Sequence, residues 1–299
     1  MVEGHRSGFV NVIGHANVGK STLCNLLMKD RLSVVNSKPQ TTRHRILGIL
    51  SDEHYQIVLS DSPGMIDRPS YELQKKMNDY AFSSFEDADV ILFVTDLYDK
   101  FEEAEKLLHV LKSLDTPKFL IINKIDLDSG EKATELAKDW NEKIGFTATF
   151  LISAKEARGT DNLLTAIVDQ LPEGPVYYPK DQWTDKPERF FVSEIIRGHI
   201  LSLYKQEVPY SCEVVVETFK HMESRSGPII HIMATIFVDR KTQKSIIIGE
   251  KGSSIKKLGT QARKEIETFF DEKVHLEIYV QVKENWRNTD QNLRSFGYH

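Results

Sequence analysis

A chain of 299 residues, 40% hydrophobic and 28% charged, is long enough for two domains and has a globular composition, which excludes a disordered or fibrous protein. Its net charge of −5 is unevenly shared: residues 1–175 carry 20 basic and 27 acidic side chains, whereas residues 176–299 carry 19 and 17 and turn slightly positive. Two distant cysteines, Cys24 and Cys212, support neither a disulfide framework nor a zinc site, and no apolar run reaches the roughly 18 residues of a membrane span, so a reducing cytoplasm is the expected setting.

The first predicted element is the apolar strand "FVNVI" (9–13), followed at once by "GHANVGKST". Glycines crowded around a lysine and a hydroxyl, after a strand and before the helical run "STLCNLLM", fit a G-x-x-x-x-G-K-[ST] phosphate loop at Gly14, Gly19, Lys20 and Ser21. Backbone donors along Gly14, His15, Ala16, Asn17, Val18, Gly19 and Thr22 would curl around phosphate oxygens, Lys20 would add a point charge, and the Ser21 hydroxyl would serve Mg²⁺. In the polar stretch "KPQTTRHR" (38–45), Thr41 or Thr42 can give Mg²⁺ a hydroxyl when a γ-phosphate is present, and Thr42 is favoured. The strands "RILGIL" (45–50) and "YQIVLS" (55–60) are separated only by "SDEH", too short for a crossover, which predicts an antiparallel pair.

The second of these strands runs into Asp61, Ser62, Pro63 and Gly64, placing a carboxylate beside the Mg²⁺ shell and a glycine N–H where a γ-phosphate could be sensed. Met65 follows, where a thioether cannot orient water as a glutamine would, so slow intrinsic hydrolysis accelerated by a partner is expected. The polar segments 36–45 and 64–77 bracket the γ-phosphate position and are expected to act as switches. Helical spacing at Leu73, Met77, Tyr80 and Ala81 and at Ala104, Leu107, Leu108 and Leu111 alternates with strands "DVILFVT" (89–95) and "KFLIIN" (118–123). The latter ends on Asn123, Lys124 and Asp126, whose acidic side chain suits the N1–H and 2-amino donors of guanine and leaves adenine unpaired. Ser153, Ala154 and Lys155, after "TATFLIS" (147–153), would close over the base. A helix at 160–171 ends this block.

Strands alternating with helices make residues 1–172 an α/β domain with a mostly parallel six-stranded sheet. Four prolines (Pro172, Pro175, Pro179, Pro187) mark a linker over 173–190, and residues 191–299 form a smaller α+β domain. Its order is a helix (about 192–206), the strands "SCEVVVETFKHME" and "PIIHIMATIFVD", a basic helical segment and a last strand "KVHLEIYVQV". Gly249-Glu250-Lys251-Gly252 lies between an apolar run ending at Ile248 and a helix with Ile255, Leu258, Ala262, Ile266 and Phe269 at core spacing; "KSIII" reads equally as helical or extended. Such a loop lets a single-stranded backbone pass close over it, flanked by Ser253, Lys256 and Lys257, with Lys241, Lys244, Arg263 and Lys264 nearby for phosphates. The remaining histidines and tryptophans form no metal or stacking pattern along the sequence.

The motifs over residues 14–155 resemble the translation-factor-like class of P-loop GTPases, and the glycine loop in its context resembles a type II KH domain. Joined to "KPQTTRHRI", "VPYS" (208–211), "VKENWR" (282–287) and "LRSFGY" (293–298), they make the chain similar to the Era family of bacterial GTPases over essentially its full length. The resemblance implies Mg²⁺-dependent GTP hydrolysis with Lys20, Thr42 and Gly64 at the reacting phosphate. It also implies binding near the 3′ end of 16S ribosomal RNA, a role in small ribosomal subunit assembly, and loose association with the cytoplasmic face of the inner membrane; a monomer is expected. This chain departs from the family pattern at His15 and Ala16, where "GRPNVGKS" is common, and at Glu250, where lysine is common. The alternative is a membrane-associated GTP-binding cell-cycle regulator with little intrinsic hydrolysis.

Overall fold

The computed structural model describes residues 4–99, 105–128, 131–224 and 227–299; Ala104 lies outside the described residues. The chain divides into two units: Met1–Ser70 with Gln74–Asp185, and Lys186–His299 with Tyr71–Leu73.

In the first unit, β1 (Arg6–Ile13) leads into α1 (Lys20–Met28), then β2 (Ile46–Ser51), β3 (Tyr55–Asp61), α2 (Glu72–Ser83), β4 (Val90–Asp96), α3 (Glu105–Ser113), β5 (Lys118–Asn123), α4 (Glu131–Lys143), β6 (Ala148–Leu151) and α5 (Leu163–Gln170). The sheet order is β2-β3-β1-β4-β5-β6, parallel throughout except that β2 pairs antiparallel with β3. Every residue of β4 and β5 is buried, as central parallel strands covered on both faces must be. Ile91, Phe93, Leu120 and Ile122 pack with Ala81 of α2, Leu107 and Leu111 of α3, and Trp140 of α4. Burying these faces fixes the sheet's register, so β1, β3 and β5 deliver Gly14, Asp61 and Asn123 at their carboxyl ends, where open α/β sheets bind ligands.

The proline-rich segment forms no helix or strand up to Pro187, the next helix already starting at Glu188, and as far as Asp185 it is firmly tied to this unit. The fully buried Gln56 accepts from the N–H groups of Tyr177 (2.7 Å) and Tyr178 (3.0 Å) and donates to Tyr178 O (2.8 Å). Further on, Ile49 N donates to Trp183 O (2.8 Å), and Thr184 Oγ1 and Asp185 N both donate to Leu47 O. The segment thereby satisfies the outer edge of β2, which would otherwise expose unpaired backbone groups.

The second unit runs α6 (Glu188–Leu203), β7 (Cys212–Ser224), β8 (Gly227–Val238), α7 (Lys241–Ile248), α8 (Ser253–Phe270), β9 (Lys273–Val282) and α9 (Asp290–Ser295). Its sheet order is β7-β8-β9, with β7 and β8 antiparallel and β8 and β9 parallel. "KSIII" is helical. On β8 the alternate residues Ile230, Ile232, Ala234 and Ile236 are fully buried in one core with Leu258, Ala262 and Ile266 of α8, so the period-2 strand face meets the i, i+4 helix face. Trp286 and Tyr298, both fully buried, anchor the C-terminal segment: Trp286 Nε1 donates to Ser211 O (3.0 Å) and Tyr298 Oη to Glu213 Oε2 (2.8 Å). Both cysteines are buried thiols, and no helix among the described residues is long and apolar enough to cross a membrane.

Candidate functional site

The turn between β1 and α1 has the geometry of an anion cradle. Gly14 (φ 152), Asn17 (φ 67) and Gly19 (φ 100) have positive φ, and Gly19 is the N-cap of α1 with no side chain capping its first turn, which leaves those N–H donors for a ligand. Val18 is buried and Asn17 exposed, so the loop points polar groups outward from an apolar footing. Lys20 Nζ lies across the loop, donating to the carbonyls of Gly14 (3.0 Å) and His15 (2.7 Å). Burial pulls its pKa down to about 8, with Asp61 pulling the other way.

Ser21 Oγ donates to Asp61 Oδ2 (2.7 Å) and lies 2.8 Å from Thr42 Oγ1. Thr41 instead donates its hydroxyl to Lys38 O (2.7 Å), so Thr42 is the threonine that joins the cluster. Burial raises the Asp61 carboxyl above its usual range while the nearby Ser33 and Ser21 hydroxyls and the Lys20 charge lower it, and the buried Asp61 Oδ1 has no hydrogen-bond partner in good geometry among the described residues. Three hard oxygen donors, one with an unsatisfied lone-pair face, fit a magnesium ion. Ser62 Oγ ties the next loop back to Val12 O (2.7 Å) and Pro63 is buried. A Cβ at Gly64 would sit 2.5 Å from Ala16 Cα, so the two backbones touch there. A pocket lined by Asn17, Lys20, Thr22, Val35, Thr42 and Gly64 covers this ground.

Met65 is 7% exposed, its side chain in the core with Phe93 and Leu107, and its N–H bonds Gly14 O (3.2 Å). The little of it that stays exposed borders a cavity and carries only a thioether and methylenes, which offer no strong hydrogen-bonding group to a water. Beside it a cavity of about 360 Å³ is bordered by His15, Gln40, Asp67 and Asp99. His15 Nδ1 lies 2.7 Å from Asp99 Oδ1 and its Nε2 3.5 Å from Asp67 Oδ1. The Asp99 hydrogen bond raises the His15 pKa, and burial works against it.

Asn123 is held by three backbone groups: Nδ2 donates to Val18 O (2.9 Å), and Oδ1 accepts from Lys124 N (2.8 Å) and Ala154 N (2.9 Å). It therefore locks the phosphate loop to the Ser153–Lys155 loop. Lys124, in the left-handed conformation (φ 64), reaches Asp96 Oδ2 at 2.5 Å. Asp96 lies 28 residues upstream, and sequence spacing gives no hint of its part. Asp126 is half-exposed, and the buried Ser153 hydroxyl holds it below the usual carboxylate range, an ionised acceptor at the mouth of the site. Lys155 is exposed and Ala154 buried.

On the second unit, the glycine loop joins α7 to α8. Gly249 (φ 72) is boxed in: a Cβ there would meet Ser254 Oγ at 2.2 Å and Ser254 N at 2.9 Å. Gly252 (φ 78) faces open space with nothing within 4 Å. Glu250, Lys251, Ser253, Lys256 and Lys257 are exposed, as are Lys241 and Lys264, whereas Ile248 packs partly against the core and Arg263 lies 3.7 Å from Glu267. Ile246 is 49% exposed on α7, an apolar group beside the loop that a three-isoleucine run does not distinguish from its buried neighbour Ile247.

The protonation of Lys20 makes one prediction. Phosphate oxygens favour the ammonium, so bound nucleotide should raise the pKa from about 8. Triphosphate affinity is then full below pH 8 and falls toward tenfold per unit as pH rises through 8. Calorimetric titrations near pH 8 in buffers of different ionisation enthalpy should show proton uptake, and Lys20→Met should abolish both effects.

Comparison with known proteins adds two family matches, a 50S ribosome-binding GTPase model over residues 9–124 and a KH domain model over residues 207–287. GTPase Era of Lactobacillus delbrueckii subsp. bulgaricus is 43% identical over 295 residues, covering 98% of this chain and 96% of that one. The chloroplastic GTPase ERA1 of Zea mays is 44% identical over 299 residues, covering 98% of this chain and 71% of that one. The crystal structure of Era in complex with MgGDPNP and nucleotides 1506–1542 of 16S ribosomal RNA superposes with a TM-score of 0.92 at 35% identity, over 98% of this chain and 99% of that one.

Proposed function

The chain belongs to the Era family of GTPases, and from that membership we propose that it is a GTP-hydrolysing switch whose KH domain binds the 3′ region of 16S ribosomal RNA during small-subunit assembly. The observation that carries the nucleotide half is the meeting of Ser21, Thr42 and Asp61 beside a loop of uncapped helix donors. Mg²⁺ bound by those oxygens supplies charge neutralisation across the β- and γ-phosphates. Lys20 is placed to exchange two backbone carbonyls for phosphate oxygens, which keeps its buried charge paired. Gly64 packs its backbone against Ala16 of the same loop, and its N–H would sense the γ-phosphate from there. Asp126 reads the guanine edge while Asn123 and Lys124 hold its loop in place.

With Met65 turned into the core, the attacking water has no side-chain orienter at that position, so hydrolysis is slow for the isolated chain and faster with RNA bound. The KH loop brings exposed lysines and two positive-φ glycines to one surface, as backbone-contacting RNA modules require. Gly252→Asp adds a negative charge where no neighbour lies within 4 Å and strains the loop at a φ of 78, and both effects should weaken binding to a 3′-terminal 16S fragment, about tenfold or more together, with GDP affinity unchanged. Gly249 is unsuitable for this test because any side chain there collides with Ser254. Single-turnover phosphate release with and without the fragment tests the coupling: equal rates, or RNA binding indifferent to Gly252→Asp, would sink the reading.

A further inference from the structure

The face of the second unit's sheet opposite its buried isoleucines carries a cluster that neither RNA loop nor nucleotide site uses. His231 on β8 and His275 on β9 are direct partners in the parallel register, and Glu277 stands two residues further along the same face. The imidazoles stack with centroids 5.1 Å apart at 9°. Both Nε2 atoms approach a single oxygen, Glu277 Oε1, at 3.3 Å from His231 and 3.2 Å from His275.

Those separations are long for charge-assisted hydrogen bonds, which close to about 2.7–2.9 Å. They match the donor–donor edge, about 3.3 Å, of a tetrahedron with metal–ligand bonds of about 2.0–2.1 Å, the values for zinc with nitrogen and carboxylate ligands. The three donor atoms all lie within 4.8 Å of one another. The remaining carboxylate oxygen, Oε2, accepts from Tyr279 Oη at 2.8 Å, the kind of outer contact that orients a ligating carboxylate. Lys220, paired with His231 from β7, brings a positive charge to this face, while Glu217, bonded to Thr235 Oγ1, offsets it.

We propose that His231, His275 and Glu277 form a three-ligand site for a divalent transition metal of the zinc class, with its fourth position open to water. Two imidazoles select such an ion over magnesium, which separates this site chemically from the all-oxygen set at Ser21, Thr42 and Asp61. A bound ion clamps β8 to β9 and stabilises the second unit by mass action.

The test uses the full chain loaded with GDP and Mg²⁺, titrated with Co²⁺ as a spectroscopic probe. Intense visible bands of a four-coordinate ion should saturate near one equivalent and be displaced by Zn²⁺. His231→Gln and His275→Gln should each weaken binding by more than about 100-fold, beyond the 10–100-fold typical of outer-shell changes, and Tyr279→Phe by about tenfold. Far-UV circular dichroism and GDP affinity should be unchanged in all three variants. Absence of the bands in the parent chain, or their persistence in either histidine variant, overturns the site.

Discussion

Asp126→Asn is expected to lower GTP affinity by about 10³-fold and to raise affinity for xanthosine triphosphate. The carboxylate sits ionised beside Ser153, so both oxygens can accept from the N1–H and 2-amino groups of guanine. Asparagine replaces one acceptor with a donor, which loses one charged hydrogen bond and sets N–H against N–H at the other. Each lost bond of this kind costs about 1.5–3 kcal/mol, and two reach the thousandfold range. Xanthine carries a carbonyl where guanine has its amino group, and the asparagine N–H then finds an acceptor. The fold should tolerate the change, because Asp126 is half-exposed and the loop is held by Asn123 and Lys124 independently of it. Competition binding with GTP, ATP and xanthosine triphosphate decides the matter. A parallel loss for all three nucleotides would place Asp126 outside the base site.

The legible parts of this protein are those whose physics is local. Gly19, Lys20 and Ser21 form a site because a strand, a turn with positive φ and a helix start follow one another in the chain, and "SDEH" dictates an antiparallel pair because no crossover fits in four residues. Contacts closed by folding leave no such trace. Gln56 is an unremarkable polar residue in a strand until Tyr177 and Tyr178, more than a hundred positions away, bring their backbone groups to it. The same holds for Trp286 with Ser211 and for His231 with His275, the latter brought side by side by strand register. Asn123 shows a third case: its place in "NKID" is plain, while its bonds to Val18 and Ala154 assign it to fastening two loops together. "KSIII" was ambiguous for a simple reason: its β-branched residues favour a strand, but Tyr204 Oη donating to Ile247 O (2.8 Å) and the capping contacts of Gln243 with Asp239 N and Arg240 N support a helix.

Gly64→Ala should slow GTP hydrolysis by about 10²–10³-fold and leave GDP affinity within a few-fold. The added methyl would lie 2.5 Å from Ala16 Cα and 2.7 Å from Ala16 N, and backbone atoms cannot rotate aside as a long side chain could. Gly64 does not have positive φ, so alanine is compatible with its dihedrals and the conflict is purely spatial. Relief requires the two chain segments to separate by about 1 Å, a displacement that by itself costs on the order of 10² in rate when it moves a reacting geometry. The segment that yields is the one carrying Gly64, because the phosphate loop is pinned by Asn123 at Val18 and by Lys20 at Gly14 and His15. Its N–H then leaves the position where charge develops on the γ-phosphate, a loss like that of one oxyanion donor. GDP has no γ-phosphate and should register little of this. Gly19→Ala is the contrasting control: its Cβ would lie 2.1 Å from Asn123 Nδ2 at a φ of 100, so it should weaken GDP and GTP together. Single-turnover phosphate release alongside GDP dissociation rates separates the two outcomes, and unchanged hydrolysis in Gly64→Ala would mean that the γ-phosphate is sensed elsewhere.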